Sequence, residues 1–234
     1  RRHDNGDHNN GDSITTARTA FAYARPPGHH AGRGTACGFC TLNHAAVAAA
    51  HALSTTPPGG CRSVAILDLD VHFGNGCASI LGGAARENDN FVFAGRARYA
   101  SVHQHPAFPY SGAEGAEALF GDAAGDVLRF VPVPPGADGG AWLAALESRA
   151  LPFVVPQQQP PDLIIVAAGF DALATDALAQ LELTPEDYRA AARRLRRAAP
   201  HTPIVAGLEG GYDVDALPTA IAAFLDGLAA PPSA

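Results

Sequence analysis

Three apolar runs limit most sharply what this chain can fold into: Val64 to Asp70 (VAILDLD), Leu163 to Ala168 (LIIVAA) and Pro203 to Gly207 (PIVAG). Each has strand length, and the first two are apolar without alternation, as in strands buried on both faces. Shorter strands are expected near Phe91–Phe93 and Tyr99–Val102. Between them lie Ala/Leu-rich helical stretches: Leu42 to Leu53, Ala141 to Arg149, Thr184 to Arg197 and Val214 to Leu228. The third opens on Thr-Pro-Glu-Asp, an N-cap with proline at the first helical position. Buried strands interleaved with helices predict an α/β fold, three αβα layers around a mostly parallel sheet. The polar stretch 1–12 reads as a loop, its His3 and His8 as solvated. Residues 13–234 read as one domain, with Gln157 to Pro161 only a connection.

The net charge of −7 comes from 16 arginines, no lysine, and 23 acids. Such a balance disfavours direct nucleic-acid binding and suits cationic substrates such as lysine-rich tails or polyamines. No apolar run is long enough to span a bilayer, so a soluble protein without a membrane partner is expected; the compartment is left open by the sequence, with an intracellular place (cytoplasm or nucleus) favoured. An oligomer is compatible with the composition. The four cysteines make no disulfide framework. The absence of methionine leads us to expect a fragment or a processed form.

Parallel sheets place their sites beyond the carboxyl ends of the strands. VAILDLD runs into Val71-His72-Phe73-Gly74-Asn75-Gly76, LIIVAA into Gly169-Phe170-Asp171, and the strand near Ile204 into Glu209-Gly210-Gly211-Tyr212. Asp68, Asp70 and His72 are spaced by two and would project to one side of an extended chain. Two acids and an imidazole suit a divalent ion and leave a position for water or substrate. Such an ion lowers the pKa of water towards ~7. Arg25-Pro26-Pro27-Gly28-His29-His30 adds two histidines, side chains suited to proton exchange near neutrality. His44, His51, His103, His105 and His201 read as ordinary histidines. Cys37-Gly38-Phe39-Cys40 has redox or zinc-ribbon spacing but lacks a second pair.

RPPGHHA (from Arg25), GFCTLNHAA (from Gly38), DLDVHFGNG (from Asp68), SVHQ (from Ser101), AGFDAL followed by Asp176, and LEGGYDVDAL (from Leu208) resemble the signature blocks of the histone deacetylase and acetylpolyamine amidohydrolase superfamily. The blocks stand in the family's order and are closer to its class II and bacterial branch. The resemblance implies the arginase/deacetylase-like fold and hydrolysis of an acyl amide, typically acetyl, on lysine or a polyamine. It implies one zinc on Asp70, His72 and Asp171. His29 and His30 would be the tandem acid/base pair, Asp68 the partner of His29, and Asn75 the neighbour of His30. Tyr212 would donate to the polarised carbonyl and its oxyanion. Gly38, Phe39, Phe108, Leu178 and Gly211 would line the acyl channel. A monovalent cation, potassium, would fall on Asp68, Ser101 and Val102, with backbone carbonyls of Asp70 and His72.

The chain departs from that pattern in three ways. Phe73 stands where a second histidine is usual, Leu128-Arg129-Phe130 stands where relatives more often have an Asn, and the N-terminal part is short. A deacetylase-like binding module without activity and a binuclear manganese hydrolase of the arginase type are the rival readings. The second needs further Asp and His ligands that the sequence does not offer.

Overall fold

The computed structural model describes residues 19–54, 60–86, 93 and 95–230. The expected loop at 1–12 lies outside them. Six parallel strands, β1 (Thr19–Ala22), β2 (Val64–Asp68), β3 (Ala97–Gln104), β4 (Leu128–Val133), β5 (Leu163–Ala168) and β6 (Ile204–Leu208), form one sheet in the order β1-β6-β5-β2-β3-β4. The helices are α1 (His44–Ser54), α2 (Asn75–Arg86), α3 (Ala116–Phe120), α4 (Gly139–Ala145), α5 (Leu151–Val154), α6 (Pro185–Ala198) and α7 (Leu217–Ala229). The predicted αβα sandwich is therefore present, and its sheet is wholly parallel.

The pleat divides the core in two. Ala65, Leu67, Ile164, Val166, Ile204 and Ala206 pack on one side with Trp142, Leu146, Tyr188, Leu195 and Phe224 of the later helical segments. Val64, Ile66, Tyr99, Leu128 and Ile165 pack on the other with Ala45, Ala49 and Leu53 of α1 and Ala78 and Leu81 of α2. Central β2 is buried at every position, which is why its sequence shows no alternation. Edge strand β1 is mostly exposed, and Val205 on neighbouring β6 is 36% exposed, so this end of the sheet is thinly covered. Among the described residues no helix is long and apolar enough to cross a membrane.

Local chemistry sets the element ends. Asn43 caps α1 through its side-chain oxygen and the Ala46 amide (2.9 Å), so the helix starts after Leu42. Asp138 caps α4 the same way through Ala141 (2.8 Å), and Thr184 with Asp187 forms a capping box on α6. Asp213 accepts from the Ala216 amide (3.0 Å), which delays α7 to Leu217 rather than Val214. The helix expected over Ala141–Arg149 widens into a π-turn at Leu146–Ala150 before α5.

Several boundaries differ from the sequence expectation. β2 stops at Asp68, so Asp70 and His72 stand on a loop rather than on extended strand. β3 is longer than Tyr99–Val102. Of the strand expected near Phe91–Phe93, only Phe93 is described, and it lies in a turn. Strands β1 and β4 and helix α2 were not foreseen. Two of the family departures meet in space: the Phe73 and Phe130 rings pack edge to face at 4.7 Å, and Phe73 also lies against His103 (4.9 Å). The aromatic pair is part of the buried core on this side of the sheet.

Arg196 is 3% exposed and donates to the carbonyls of Ala199, Thr202 and Leu228 and to the Thr19 hydroxyl, joining α6, α7 and β1. Arg196→Met should leave those buried acceptors unpaired and lower unfolding stability by about 2–4 kcal/mol in denaturant titration. A loss under about 0.5 kcal/mol, the size of an ordinary surface change, would mean that water replaces the guanidinium.

Candidate active site

Because all strands run the same way, their carboxyl ends open on one edge of the sheet, and the chemistry-bearing loops collect there. The loop after β2 is pinned by the Leu69 amide to the Ala167 carbonyl (2.9 Å) and by the Val71 amide to Asp171 Oδ1 (2.9 Å). The Phe170 amide donates to the Gly210 carbonyl (2.9 Å) and the Gly210 amide to Asp70 Oδ2 (2.7 Å). Asp171 thus commits Oδ1 to a backbone amide, while Asp70 accepts amides on both oxygens, Oδ2 from Gly210 and Oδ1 from His72 (2.9 Å). Asp70 Oδ1 and Asp171 Oδ2 lie 3.1 and 3.0 Å from His72 Nδ1.

The three groups are buried and offer donor atoms within 4.8 Å of one another. Burial and the Asp70 carboxylate push the Asp171 carboxyl up to about 7. Burial opposes a charge on His72, but Asp171 and Asp70 outweigh it and raise the imidazole to about 10. Burial works against the Asp70 charge too, yet His29 and His72 hold it well below the usual carboxylate range. A carboxyl pair that must share a proton on an intervening imidazole is a set from which a divalent cation displaces protons. Two oxygens and one nitrogen match zinc's ligand preferences and leave a fourth position open.

The tandem histidines flank this cluster. His29 Nδ1 contacts Asp68 Oδ2 (3.0 Å), and its Nε2 lies 3.6 Å from Asp70 Oδ1. His30 Nδ1 contacts Asn75 Oδ1 (2.7 Å) at the first residue of α2. The rings are tilted with centroids 4.0 Å apart. Both partners are acceptors at Nδ1, so both rings carry that proton and present Nε2 to the site. Their environments diverge. Burial opposes a charge on His29, but the carboxylates of Asp70 and Asp68 raise it well above the ordinary imidazole value. Burial and the neighbouring His29 lower His30 to about 3.

Asp68 is fully buried, and both of its oxygens accept: Oδ2 also from the Tyr99 hydroxyl (2.7 Å) and Oδ1 from the Asp70 amide (3.1 Å). The β2–β3 register sets Asp68 opposite Ser101, with Val102 next along β3, but the Ser101 hydroxyl contacts His103 Nδ1 (2.9 Å). His103 is itself buried and reaches the Gly112 carbonyl (3.1 Å), so it ties β3 to a loop.

The mouth is apolar. Cys37 and Cys40 exchange backbone hydrogen bonds (3.1 and 2.8 Å) around Gly38 and Phe39, both at positive φ (51° and 66°). That is a two-residue hairpin turn, and the cysteines are free thiols. A side chain at Gly38 would strike the His30 ring, with Phe108 beyond it. Phe108 stacks edge-on against His30 (5.0 Å), and Phe39 against Tyr212 (5.9 Å). Leu178, half exposed, sits in a loop held by Asp176, whose carboxylate accepts from the Leu178 and Tyr212 amides (3.0 and 2.7 Å). Gly211 adopts φ 128°, turning the chain into Tyr212, and burial with the Asp70 and Asp171 charges pushes the phenol's pKa up.

Every residue predicted for the divalent site, the histidine pair and the channel thus lies on this one edge. Four others there have no role of their own in the sequence reading. Glu209, Tyr99 and Arg25 carry buried or partly buried polar groups that reach site residues, and Gly210 lies against both Asp70 and Asp171. Only the run Glu-Gly-Gly-Tyr after an apolar strand hinted at any of them.

The fold and this edge define a deacetylase-like α/β architecture. The histone deacetylase domain family matches residues 7–228, and the chain belongs to that family. It is 42% identical over 207 residues to the uncharacterized protein slr0245 of Synechocystis, covering 88% of this chain and 61% of that protein. It is 34% identical over 202 residues to acetylpolyamine amidohydrolase 1 of Pseudomonas aeruginosa, covering 86% and 53%. The crystal structure of the HDA15 HD domain superposes with a TM-score of 0.77 at 31% identity, covering 90% of this chain and 57% of that one. The chain therefore spans a little over half the length of these relatives.

Gly210→Ala would drive a methyl group into the Asp171 and Asp70 carboxylates. We expect zinc affinity, read by competition with a chromophoric chelator, to fall about 10–100-fold, the size typical of disturbed ligand support. Unaltered affinity would show that the carboxylates need not be so closely backed.

Proposed function

We propose that this chain hydrolyses an acyl amide, foremost an acetyl amide, on a lysine side chain or a polyamine. One observation carries the reading: two histidines with anchored Nδ1 atoms face a buried Asp–His–Asp donor set at the floor of an apolar mouth. Asp70, His72 and Asp171 would hold one zinc ion, which when bound supplies Lewis acidity to a carbonyl and makes water acidic enough to lose a proton near neutrality. Among the described residues the donors form a single three-residue cluster, which suits one ion rather than the pair an arginase-type site needs.

The chain's own residues supply the rest. His30, its Nδ1 proton committed to Asn75, offers a lone pair at Nε2 for the proton of the attacking water. His29, backed by the Asp68 carboxylate, is built to hold a proton and stands to deliver one to the departing amine. Tyr212 donates its hydroxyl proton to the oxygen that becomes negative during the attack. Gly38 lets its turn pack directly on the His30 ring, and Phe39, Phe108 and Leu178 would flank a slender acyl chain and exclude water from it. Potassium bound at Asp68, Ser101 and Val102 would add a fixed charge behind His29. The Ser101 hydroxyl donates to His103 Nδ1, whose ring gives its own proton to the Gly112 carbonyl, so the serine oxygen keeps its lone pairs for the cation. In this reading the domain is residues 13–234.

The test is a panel of acetyl-lysine peptides, acetylpolyamines and longer acyl-lysines, with and without a zinc chelator. Acetate release that chelator abolishes and zinc restores supports the proposal. Stoichiometric zinc without release from any substrate would favour a binding module instead. Tyr212→Phe should lower kcat by about 10²–10³-fold, the cost of one oxyanion donor, and leave zinc content at one per chain. Unchanged turnover would remove Tyr212 from the mechanism.

A further inference from the structure

The segments bearing the tandem histidines and Tyr212 are tied together by two charged side chains to which the proposed chemistry gives no part. The Arg25 guanidinium donates from Nη1 to the Glu209 carbonyl (2.7 Å) and from Nη2 to the Gly211 carbonyl (2.6 Å). In return, Glu209 Oε2 accepts from the amides of Gly28 (2.6 Å) and His29 (3.0 Å). Each segment contributes one charge, and each charge binds the other segment's backbone. Glu209 is 2% exposed, so its carboxylate depends on these amides. The guanidinium also lies 5.5 Å from the centre of the Tyr212 ring, within cation–π range. Between the two gripped carbonyls sits Gly210, whose amide donates to Asp70.

We propose that Arg25 and Glu209 are positioning residues, a reciprocal clamp that sets the Tyr212 hydroxyl against the two imidazoles. The inference rests on the functional reading above for its kinetic consequence, and on hydrogen bonds alone for its existence. A planar fork is required, because two carbonyls flanking one glycine are spanned by two N–H groups of fixed separation. A lysine ammonium is a point donor and cannot span them in the same way. Losing the clamp lets the phenol drift from the histidines, and a misplacement of about 1 Å costs on the order of 10²-fold in rate. Phe39 and Phe108 meet the clamped segments only through ring contacts with Tyr212 and His30, so substrate affinity should change far less than turnover.

The experiment combines hydrogen exchange by mass spectrometry with steady-state kinetics on zinc-loaded protein. Variants are Arg25→Ala, Arg25→Lys and Glu209→Ala, each also in a Tyr212→Phe background. Arg25→Ala should speed exchange in peptides covering 26–31 as well as 209–213, and Glu209→Ala should do the same in both. Arg25→Ala should lower kcat about 10²-fold with KM within about threefold, yet cost less than about threefold when Tyr212 is already Phe. Arg25→Lys should keep the Tm and zinc content of the parent and still lose about tenfold in kcat; it carries the test if the alanine variant does not fold. Equal losses in both backgrounds, or faster exchange confined to the substituted segment or spread over the whole chain, would overturn the clamp. If the unaltered protein deacylates nothing, the functional reading fails, and the exchange pattern alone still decides whether the clamp exists.

Discussion

Three carboxylates, Asp68, Asp70 and Asp171, lie essentially out of contact with solvent at the junction of β2 and β5. An isolated buried carboxylate is costly enough that the group would rather take up a proton, so these acids persist only through what surrounds them. Amides of Asp70, Val71, His72 and Gly210, the Tyr99 hydroxyl and the imidazoles of His29 and His72 supply the compensation. Those donors come from the loops after β1, β2 and β6 and from β3. The edge of the sheet is therefore organised around negative charge, and its histidines and its fitness for a cation follow from that.

Close backing of the acids also dictates where side chains cannot be. Gly210 must approach the carboxylates with no Cβ, and Gly38 must clear the His30 ring. Phe39 accepts a left-handed backbone that a bulky residue rarely adopts, a conformation that costs roughly 1–2 kcal/mol, and so places its ring at the mouth beside Tyr212. The Cys-x-x-Cys spacing, which in isolation suggests redox or metal chemistry, is here the frame of that turn. The Phe73–Phe130 contact shows similar economy: two positions that depart from the family pattern separately make sense as one packed pair.

Much of the site was legible because parallel strands deliver their following residues to one edge, so acids and glycines after apolar runs mark the chemistry directly. Reading Asp68, Asp70 and His72 as extended strand led to the right neighbours by an incomplete route. The strand stops at Asp68, and His72 is turned towards Asp70 by its amide on Asp70 Oδ1 (2.9 Å). Glu209 and Arg25 show no role in the sequence because nothing near either one reveals that it lies against the other's backbone, 184 positions away. His103, read as an unremarkable histidine, is a fully buried tie between strand and loop.

The amino-acid order by itself determined the α/β class, the central strands β2, β5 and β6, most helices, and which residue types could make a metal-ligating and proton-transferring set. Periodicity, caps and the acids after each apolar run are local signals and need no partner to be read. Only the tertiary structure decided the strand order and the edge strands β1 and β4; the pairing of His29 with Asp68 and of His30 with Asn75 followed from the family resemblance and from no local pattern. The tertiary structure also decided the mutual grip of Arg25 and Glu209. Those features arise when segments far apart in sequence meet in a dry interior, where each buried charge must find a specific partner and local pattern carries no record of which one.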